Sequence, residues 1–221
     1  MGAIFFVYTM DIRRFLKKQM KSPYYKRLID ALDGEDTIPN LSYVHTPLLK
    51  VENPSIIVFG QDPYPSGVVE FNKYKDYYDG NAFSTRTVKT PRSLQHLQNS
   101  FMWTSQKEKR EDIKINNNLS YLNYRGVILT NIYPIVVRNK PLSCPQWFEF
   151  SKRLVSYLDR YDISFILLGN EAKRLEGFIK NNQVFKDVHP SSLSYKTRKK
   201  EVLDVFYRHG KNTFKGIKWT K

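Results

Sequence analysis

The chain has 221 residues, and its 41% hydrophobic and 14% aromatic content is enough to bury a core, which excludes wholesale disorder. A formal charge of +15 favours a polyanionic partner such as nucleic acid, although a lysine-rich solvated surface would give the same excess. A single cysteine excludes an internal disulfide, and four scattered histidines predict no metal site. No apolar run approaches the roughly 18 residues of a membrane span, so we expect a soluble, intracellular protein of nucleus or cytoplasm that does not contact a membrane.

The first predicted elements lie in residues 11 to 33, where apolar residues recur at helical spacing and are interrupted near Ser22-Pro23. This pattern predicts two short helices, closed by Asp33-Gly34. The run Pro54–Phe59 is short, apolar and rich in branched residues, which is typical of a buried parallel strand that ends at Gly60. Residues 66 to 82 are polar and Tyr-rich, and they predict a long loop.

Helices and strands alternate through the rest of the chain. The patterns predict helices over 91–103, 145–160, 171–180 and 199–209, an exposed loop over 105–118, and strands over 126–130, 163–168 and 184–188. This alternation predicts a three-layer α/β/α fold with a central, mostly parallel four-stranded sheet and helices on both faces. Because no linker or repeat divides the chain, we expect a single domain over residues 1–221.

Polar residues follow all four predicted strands, at Gln61-Asp62, Asn131, Gly169-Asn170 and His189. In parallel α/β folds the functional loops lie beyond the carboxyl ends of the strands. We therefore expect these side chains to line one crevice.

Each of these residues has two interpretations when taken alone. Asp62 could orient water or stabilise positive charge, or it could be a turn residue. Asn131 could hydrogen-bond the edge of a pyrimidine, or it could cap a helix. His189 could donate to an oxyanion and Phe83 could stack on a base, or both could be structural.

The segments together resemble the family 1 uracil-DNA glycosylases over nearly the whole chain. The matching segments, in family order, are Gly60-Gln-Asp-Pro-Tyr64, Gly80-Asn-Ala-Phe-Ser84, Pro91-Arg-Ser-Leu94, Gly126-Val-Ile-Leu-Thr-Asn131, Phe165-Ile-Leu-Leu-Gly169, His189-Pro-Ser-Ser-Leu-Ser194 and Lys215-Gly-Ile-Lys-Trp219. Pro65 departs from the family, most of whose members have histidine there, and resembles the poxvirus members.

The resemblance implies a monofunctional glycosylase without cofactor, which flips deoxyuridine out of single- or double-stranded DNA and hydrolyses its N-glycosidic bond. Asp62 would position the attacking water, and His189 would hydrogen-bond O2 of the departing uracil. Tyr64 would exclude the thymine methyl group, and Asn131 would reject cytosine. The residues implied in uracil binding are Gln61, Tyr64, Phe83 and Asn131.

The resemblance also implies contacts with DNA around this pocket. Leu193 would wedge into the minor groove. The residues that would contact phosphates are Ser93, Ser191 and Ser194, with Lys196 and Arg198 adding attraction unless they are only a solvated helix start. Poxvirus relatives also serve as replication factors, so an alternative is a DNA-binding or replication-partner protein with weakened catalysis. The richness in Asn, Lys and Tyr is typical of AT-rich genomes, which include those of some viruses and phages.

Overall fold

The computed structural model describes residues 10–63, 80–85, 90–103, 116–137 and 144–191. Its centre is a sheet of four strands, β2 (Ile56–Gly60), β3 (Val127–Asn131), β5 (Ser164–Leu168) and β6 (Val184–Asp187). Their order across the sheet is β3-β2-β5-β6, and every neighbouring pair is parallel. Two further strands, β1 (Thr37–Ile38) and β4 (Val136–Val137), form a separate antiparallel pair. Within the described ranges, no helix is long and apolar enough to cross a membrane.

β2, β3 and nearly all of β5 are buried on both faces, as the continuous apolar runs predict, whereas the edge strand β6 is only partly buried. Successive strand residues point to opposite faces, so Ile57 and Phe59 pack in one core cluster and Ile56 and Val58 in another. The two clusters confirm the predicted three layers.

The first face of the sheet is covered by α1 (Ile12–Met20), α2 (Pro23–Asp30), α3 (Thr46–Leu49) and α5 (Phe148–Leu158). Asp11 begins α1, where its carboxylate accepts a hydrogen bond from the Arg14 backbone N–H at 2.8 Å. Ser22 begins α2 in the same way, and the following Pro23 suits a first helical position because its missing N–H would have no partner there.

The second face is covered by α4 (Arg92–Trp103) and by a 3₁₀ segment, Leu119–Arg125. Leu94 and Leu97 of α4 are at most 1% exposed and pack on Val58 and its neighbours. Burying a leucine side chain stabilises a fold by about 1.5–3 kcal/mol, so α4 is held firmly against the sheet.

The predicted helices differ from the observed ones at two places. The helix expected over 145–160 begins as a 3₁₀ turn, Pro145–Trp147, before α5. The prediction of one helix over 171–180 was wrong, because α6 covers only Asn170–Lys173 and a separate 3₁₀ turn covers Glu176–Phe178. Gly177 lies in that turn, and glycine disfavours a helix interior. The final helix over 199–209 and most of the two predicted loops lie outside the described residues.

Candidate active site

The parallel register brings the strand ends together at one edge of the sheet. Gly60 at the end of β2 pairs with Asn131 at the end of β3, and Leu168 of β5 pairs with Asp187 of β6. The ladder continues past the strands, because the Tyr133 backbone N–H donates to the Gln61 carbonyl at 2.9 Å. This edge is therefore where the residues predicted from the strand ends lie.

Gly60 is the point at which Asn131 and Phe83 meet. A Cβ atom added to Gly60 would lie 2.5 Å from Asn131 Oδ1 and 2.8 Å from Phe83 Cζ, and real Cβ atoms essentially never approach so closely. A glycine here allows the amide and the ring to lie side by side against the strand. Asn131 is 5% exposed.

Phe83 has a strained backbone that its neighbours hold in place. Its φ is +61°, a left-handed value that bulky residues rarely adopt. The preceding Ala82 N–H donates to the Leu129 carbonyl of β3 at 3.1 Å, and the Ser84 hydroxyl accepts from the Leu119 N–H at 3.0 Å. The ring is 6% exposed. Strain that neighbouring bonds maintain is a feature of ligand sites, so this segment is a candidate for one.

His189 lies on the other side of Phe83. The two ring centroids are 5.6 Å apart, with the planes inclined by 42°. Gly169, with φ +91°, makes room for His189, because a Cβ there would lie 2.9 Å from His189 Cβ. A continuous series of contacts therefore runs from Asn131 through Gly60 and Phe83 to His189.

Burial sets the electrostatics of Asp62 and His189 at this edge. It raises the pKa of Asp62, and a 3.2 Å hydrogen bond from Gln61 Nε2 to the carboxylate opposes that rise. Burial lowers the pKa of His189 to about 4, so its imidazole is neutral at pH 7. A neutral imidazole has one N–H to donate, and an ionised carboxylate has two oxygens to accept.

Two of the predicted phosphate-contacting residues lie beside this edge. Ser93 is in the first turn of α4, and Ser191 follows His189-Pro190 directly. Both are partly exposed. The His96 ring of α4 lies 3.0 Å from the Pro190 carbonyl oxygen, which joins α4 to the segment that contains His189 and Ser191.

Comparison with known proteins decides the family. A family model described as the Uracil DNA glycosylase superfamily matches residues 47–209. The chain is 30% identical over 202 residues to the uracil-DNA glycosylase of Mesomycoplasma hyopneumoniae, covering 84% of this chain and 85% of that protein. The chain belongs to the uracil DNA glycosylase superfamily. The uracil-DNA glycosylase of Helicobacter pylori is also 30% identical, over 82% of each chain.

Solved structures of the superfamily share the fold. Mimivirus uracil-DNA glycosylase superposes with a TM-score of 0.66 at 20% identity, covering 84% of this chain and 73% of that one. The wild-type UNG of Nitratifractor salsuginis superposes with a TM-score of 0.61 at 16% identity, covering 90% and 96%. These likenesses agree with the three-layer arrangement around the parallel sheet.

The described part of this superfamily member includes some of the predicted site residues and not others. Gln61, Asp62, Phe83, Asn131 and His189 lie at the carboxyl edge of the sheet. The interpretation of Asn131 as a helix cap was wrong, because the next residues are bends and an extended segment. The predicted residues that lie outside the described ranges are Tyr64, Leu193, Ser194, Lys196 and Arg198, together with Pro65.

Three features of the site were not predicted from the sequence. Gly60 and Gly169 were interpreted as ends of strands, whereas their lack of a side chain is what admits Asn131, Phe83 and His189. His96 was counted only among scattered histidines, and its contact with Pro190 spans 94 residues of sequence. The sequence carries no periodic signal for such a long-range contact.

Proposed function

We propose that this chain is a uracil-DNA glycosylase that hydrolyses the N-glycosidic bond of deoxyuridine in DNA, without metal or cofactor. The proposal is carried by one observation, the continuous contact of Asn131, Gly60, Phe83 and His189 at the carboxyl edge of the sheet. An amide, an aromatic ring and a neutral imidazole placed together suit one flipped base.

In the proposed reaction, Asp62 acts at the sugar end of the N-glycosidic bond and His189 acts at its base end. Water adds to the sugar C1′ as the bond from C1′ to the uracil nitrogen breaks, the base leaves as an anion, and the proton that the water loses passes to Asp62 and from there to solvent. The Asp62 carboxylate accepts a hydrogen bond from that water and offsets the positive charge that develops on the sugar. The neutral His189 imidazole donates its N–H to O2 of the uracil anion.

The choice of base follows from the groups around the pocket. The Asn131 amide donates through nitrogen and accepts through oxygen, which matches the edge of uracil, whereas the exocyclic amine of cytosine reverses that order. Gln61 lines the pocket, and Tyr64 lies against C5 of the base, where a thymine methyl group would clash. Phe83 stacks on the flipped ring.

DNA around the flipped nucleotide is held by its phosphates. Ser93, Ser191 and Ser194 fix the register, and Lys196 and Arg198 supply attraction, in keeping with the excess of basic residues. Leu193 fills the gap that the flipped base leaves.

Uracil release from a synthetic strand with one deoxyuridine tests this function. We expect release from single- and double-stranded forms, and none from matched strands that carry thymine or cytosine at that position. Asp62→Asn protein is the negative control, because it keeps the shape of the side chain and removes its charge. Folded wild-type protein that released no uracil from either form would contradict the proposal.

That this chain binds a replication protein remains a prediction. Under this alternative, the chain binds DNA or a polymerase subunit with weakened catalysis. Gel-shift binding of uracil-containing DNA without uracil release, together with co-purification of a polymerase subunit, would favour it over the glycosylase.

A further inference from the structure

His96 of α4 makes a hydrogen bond across the fold, to the residue that follows His189. Its Nδ1 atom lies 3.0 Å from the carbonyl oxygen of Pro190. A carbonyl oxygen can only accept, so Nδ1 carries the hydrogen and donates it. His96 is 6% exposed, so water competes little for this bond.

The helix that carries His96 is fixed to the body of the protein. Leu94 and Leu97, on either side of His96, are buried in the core on the second face of the sheet. Asn117 Oδ1 accepts hydrogen bonds from Thr90 Oγ1 at 2.8 Å and from Gln98 Nε2 at 3.2 Å, which ties α4 to the segment before the 3₁₀ helix. The imidazole of His96 is therefore a fixed donor.

The segment that His96 contacts is hydrogen-bonded to the sheet before His189. Before His189, the Val188 N–H donates to Asp187 Oδ1 at 2.8 Å, and the Gly169 N–H donates to the Asp187 carbonyl at 2.9 Å. After His189, Pro190 has no N–H, so its carbonyl is the backbone group through which it can be held.

Burial and the nearby Arg92 lower the pKa of His96, while the bond to Pro190 acts in the opposite direction. The lowered pKa favours a neutral ring, and the hydrogen of a neutral ring is needed on Nδ1 for this bond. Ser93, one of the predicted phosphate contacts, lies one turn before His96 on the same side of α4.

We propose that His96 is a positioning residue, which holds the Pro190 carbonyl and so fixes the His189 ring and the Ser191 backbone in place for uracil release. The inference rests on the proposed function, because it assigns His189 to the departing base. Without the donor, the bond that joins α4 to the Pro190 carbonyl is lost, and misplacing a reacting group by about 1 Å can cost roughly 100-fold in rate.

Three variants of His96 separate the effect of losing the hydrogen-bond donor from the effect of changing the size of the side chain. His96→Asn places an amide nitrogen at the same number of bonds from Cα as Nδ1, His96→Gln places it one bond further, and His96→Leu has no donor. We expect His96→Leu and His96→Gln to slow single-turnover uracil release by 10-fold or more, with a smaller change in KM for DNA. His96→Asn should stay within threefold of wild type, rescued by its amide.

Ser100→Ala is the matched control for stability. It removes another buried bond on α4, from Ser100 Oγ to the Leu97 carbonyl at 2.7 Å, which does not reach the site. We expect it to lower Tm without slowing uracil release. Equal rates for His96→Leu and wild type, or equal losses in the Asn and Leu variants, would overturn the inference. If the Leu variant does not fold, the comparison of Asn with Gln decides.

A measurement without turnover keeps the inference separate from the proposed function. The NMR chemical shifts of the His189 ring report its surroundings even in an inactive protein. We expect them to move in His96→Leu and to stay near wild type in His96→Asn. Unchanged His189 shifts in both variants would contradict positioning by His96, whereas inactive wild-type protein would contradict the glycosylase alone.

Discussion

Asp62 shows how a functional residue can oppose the stability of the fold that carries it. Burial raises the pKa of this carboxyl, which means that the folded protein disfavours the charged form. The proposed chemistry needs that charged form, to accept a hydrogen bond from water and to face a cationic sugar. Activity and stability therefore make opposite demands on this side chain.

Asp62→Asn should consequently lose activity and gain stability. We expect uracil release to fall by at least about 100-fold, the usual effect of removing an acid–base group, and Tm at pH 7 to rise. Asp33→Asn is the control, since it removes the same charge from an exposed aspartate. Release assays and thermal unfolding of both variants check this. A lower Tm for Asp62→Asn than for the control would contradict the desolvation argument.

The pH dependence of uracil release should report Asp62 and not a histidine of ordinary pKa. Activity should rise with pH as Asp62 ionises, with its midpoint above the value of about 3.9 for a free aspartate. His189, whose pKa is about 4, should stay neutral through pH 6–8. Single-turnover rates from pH 4 to 9 test this, and an inflection near pH 6.5 in the residual activity of Asp62→Asn protein, which lacks the Asp62 carboxyl, would contradict the assignment of a neutral His189.

The sequence predicts a site residue where that residue follows a buried strand or belongs to a motif that occurs in the family order. Asp62, Asn131 and His189 follow buried strands, and the carboxyl ends of parallel strands meet at one edge. Phe83 was predictable only from its motif, because its left-handed backbone and its contact with His189 depend on distant segments. The bond from His96 to Pro190 has no counterpart in local sequence.

At the scale of elements, the strands of the central sheet were predictable from the sequence, and the two-residue strands were not. β2, β3 and β5 appear in the sequence as apolar runs followed by polar residues, and they are almost wholly buried, whereas β6 is a shorter run whose Lys186 is exposed. The two-residue strands β1 and β4 are too short to show a period, and they form because Thr37 and Val137 meet in the tertiary structure.

The end of β2 is the element whose geometry the site depends on most. Gly60→Ala would push a Cβ into Asn131 and Phe83, and overpacking of this kind costs typically about 1–3 kcal/mol. We expect a lower Tm and at least a 10-fold loss of uracil release, because both contacts belong to the proposed pocket. Activity and thermal unfolding measurements check both effects.

Gly177→Ala is the control for that substitution. A Cβ at Gly177 meets no heavy atom within 4 Å, and its φ lies outside the left-handed range. We expect a change within about 0.5 kcal/mol, as for most surface substitutions, and wild-type activity. Full activity in Gly60→Ala would contradict the view that Asn131 and Phe83 act together in the proposed pocket.

Across the whole molecule, the two faces of the sheet carry different tasks. The second face bears Phe83, α4 and the contact with Pro190, next to the proposed pocket. The first face holds an aromatic cluster around His45, whose ring lies 5.0 Å from that of Phe150 and whose Nε2 is 2.6 Å from the Tyr25 hydroxyl. Stability can therefore be changed on the first face without touching the site.

The response of stability to acid follows from His45, which is buried, and from His189, which is half-buried. Burial lowers the pKa of His45 and of His189 to about 4, while an unfolded chain protonates histidine near 6.5. Between these pH values the unfolded chain binds protons that the folded protein excludes. The free energy of unfolding should thus fall as pH is lowered from 6.5 to 4, by up to about 1.4 kcal/mol per pH unit for each histidine.

His45→Gln tests this on the face away from the site. Its amide reaches the position of Nε2, so the bond with the Tyr25 hydroxyl is kept while the titrating group is lost. We expect urea unfolding at pH 7.5, 6.5, 5.5 and 4.5 to give a shallower slope than in wild type, with equal uracil release at pH 7.5. A slope in His45→Gln protein as steep as that of wild type would contradict neutral burial of His45, because protons excluded from the folded state must oppose folding.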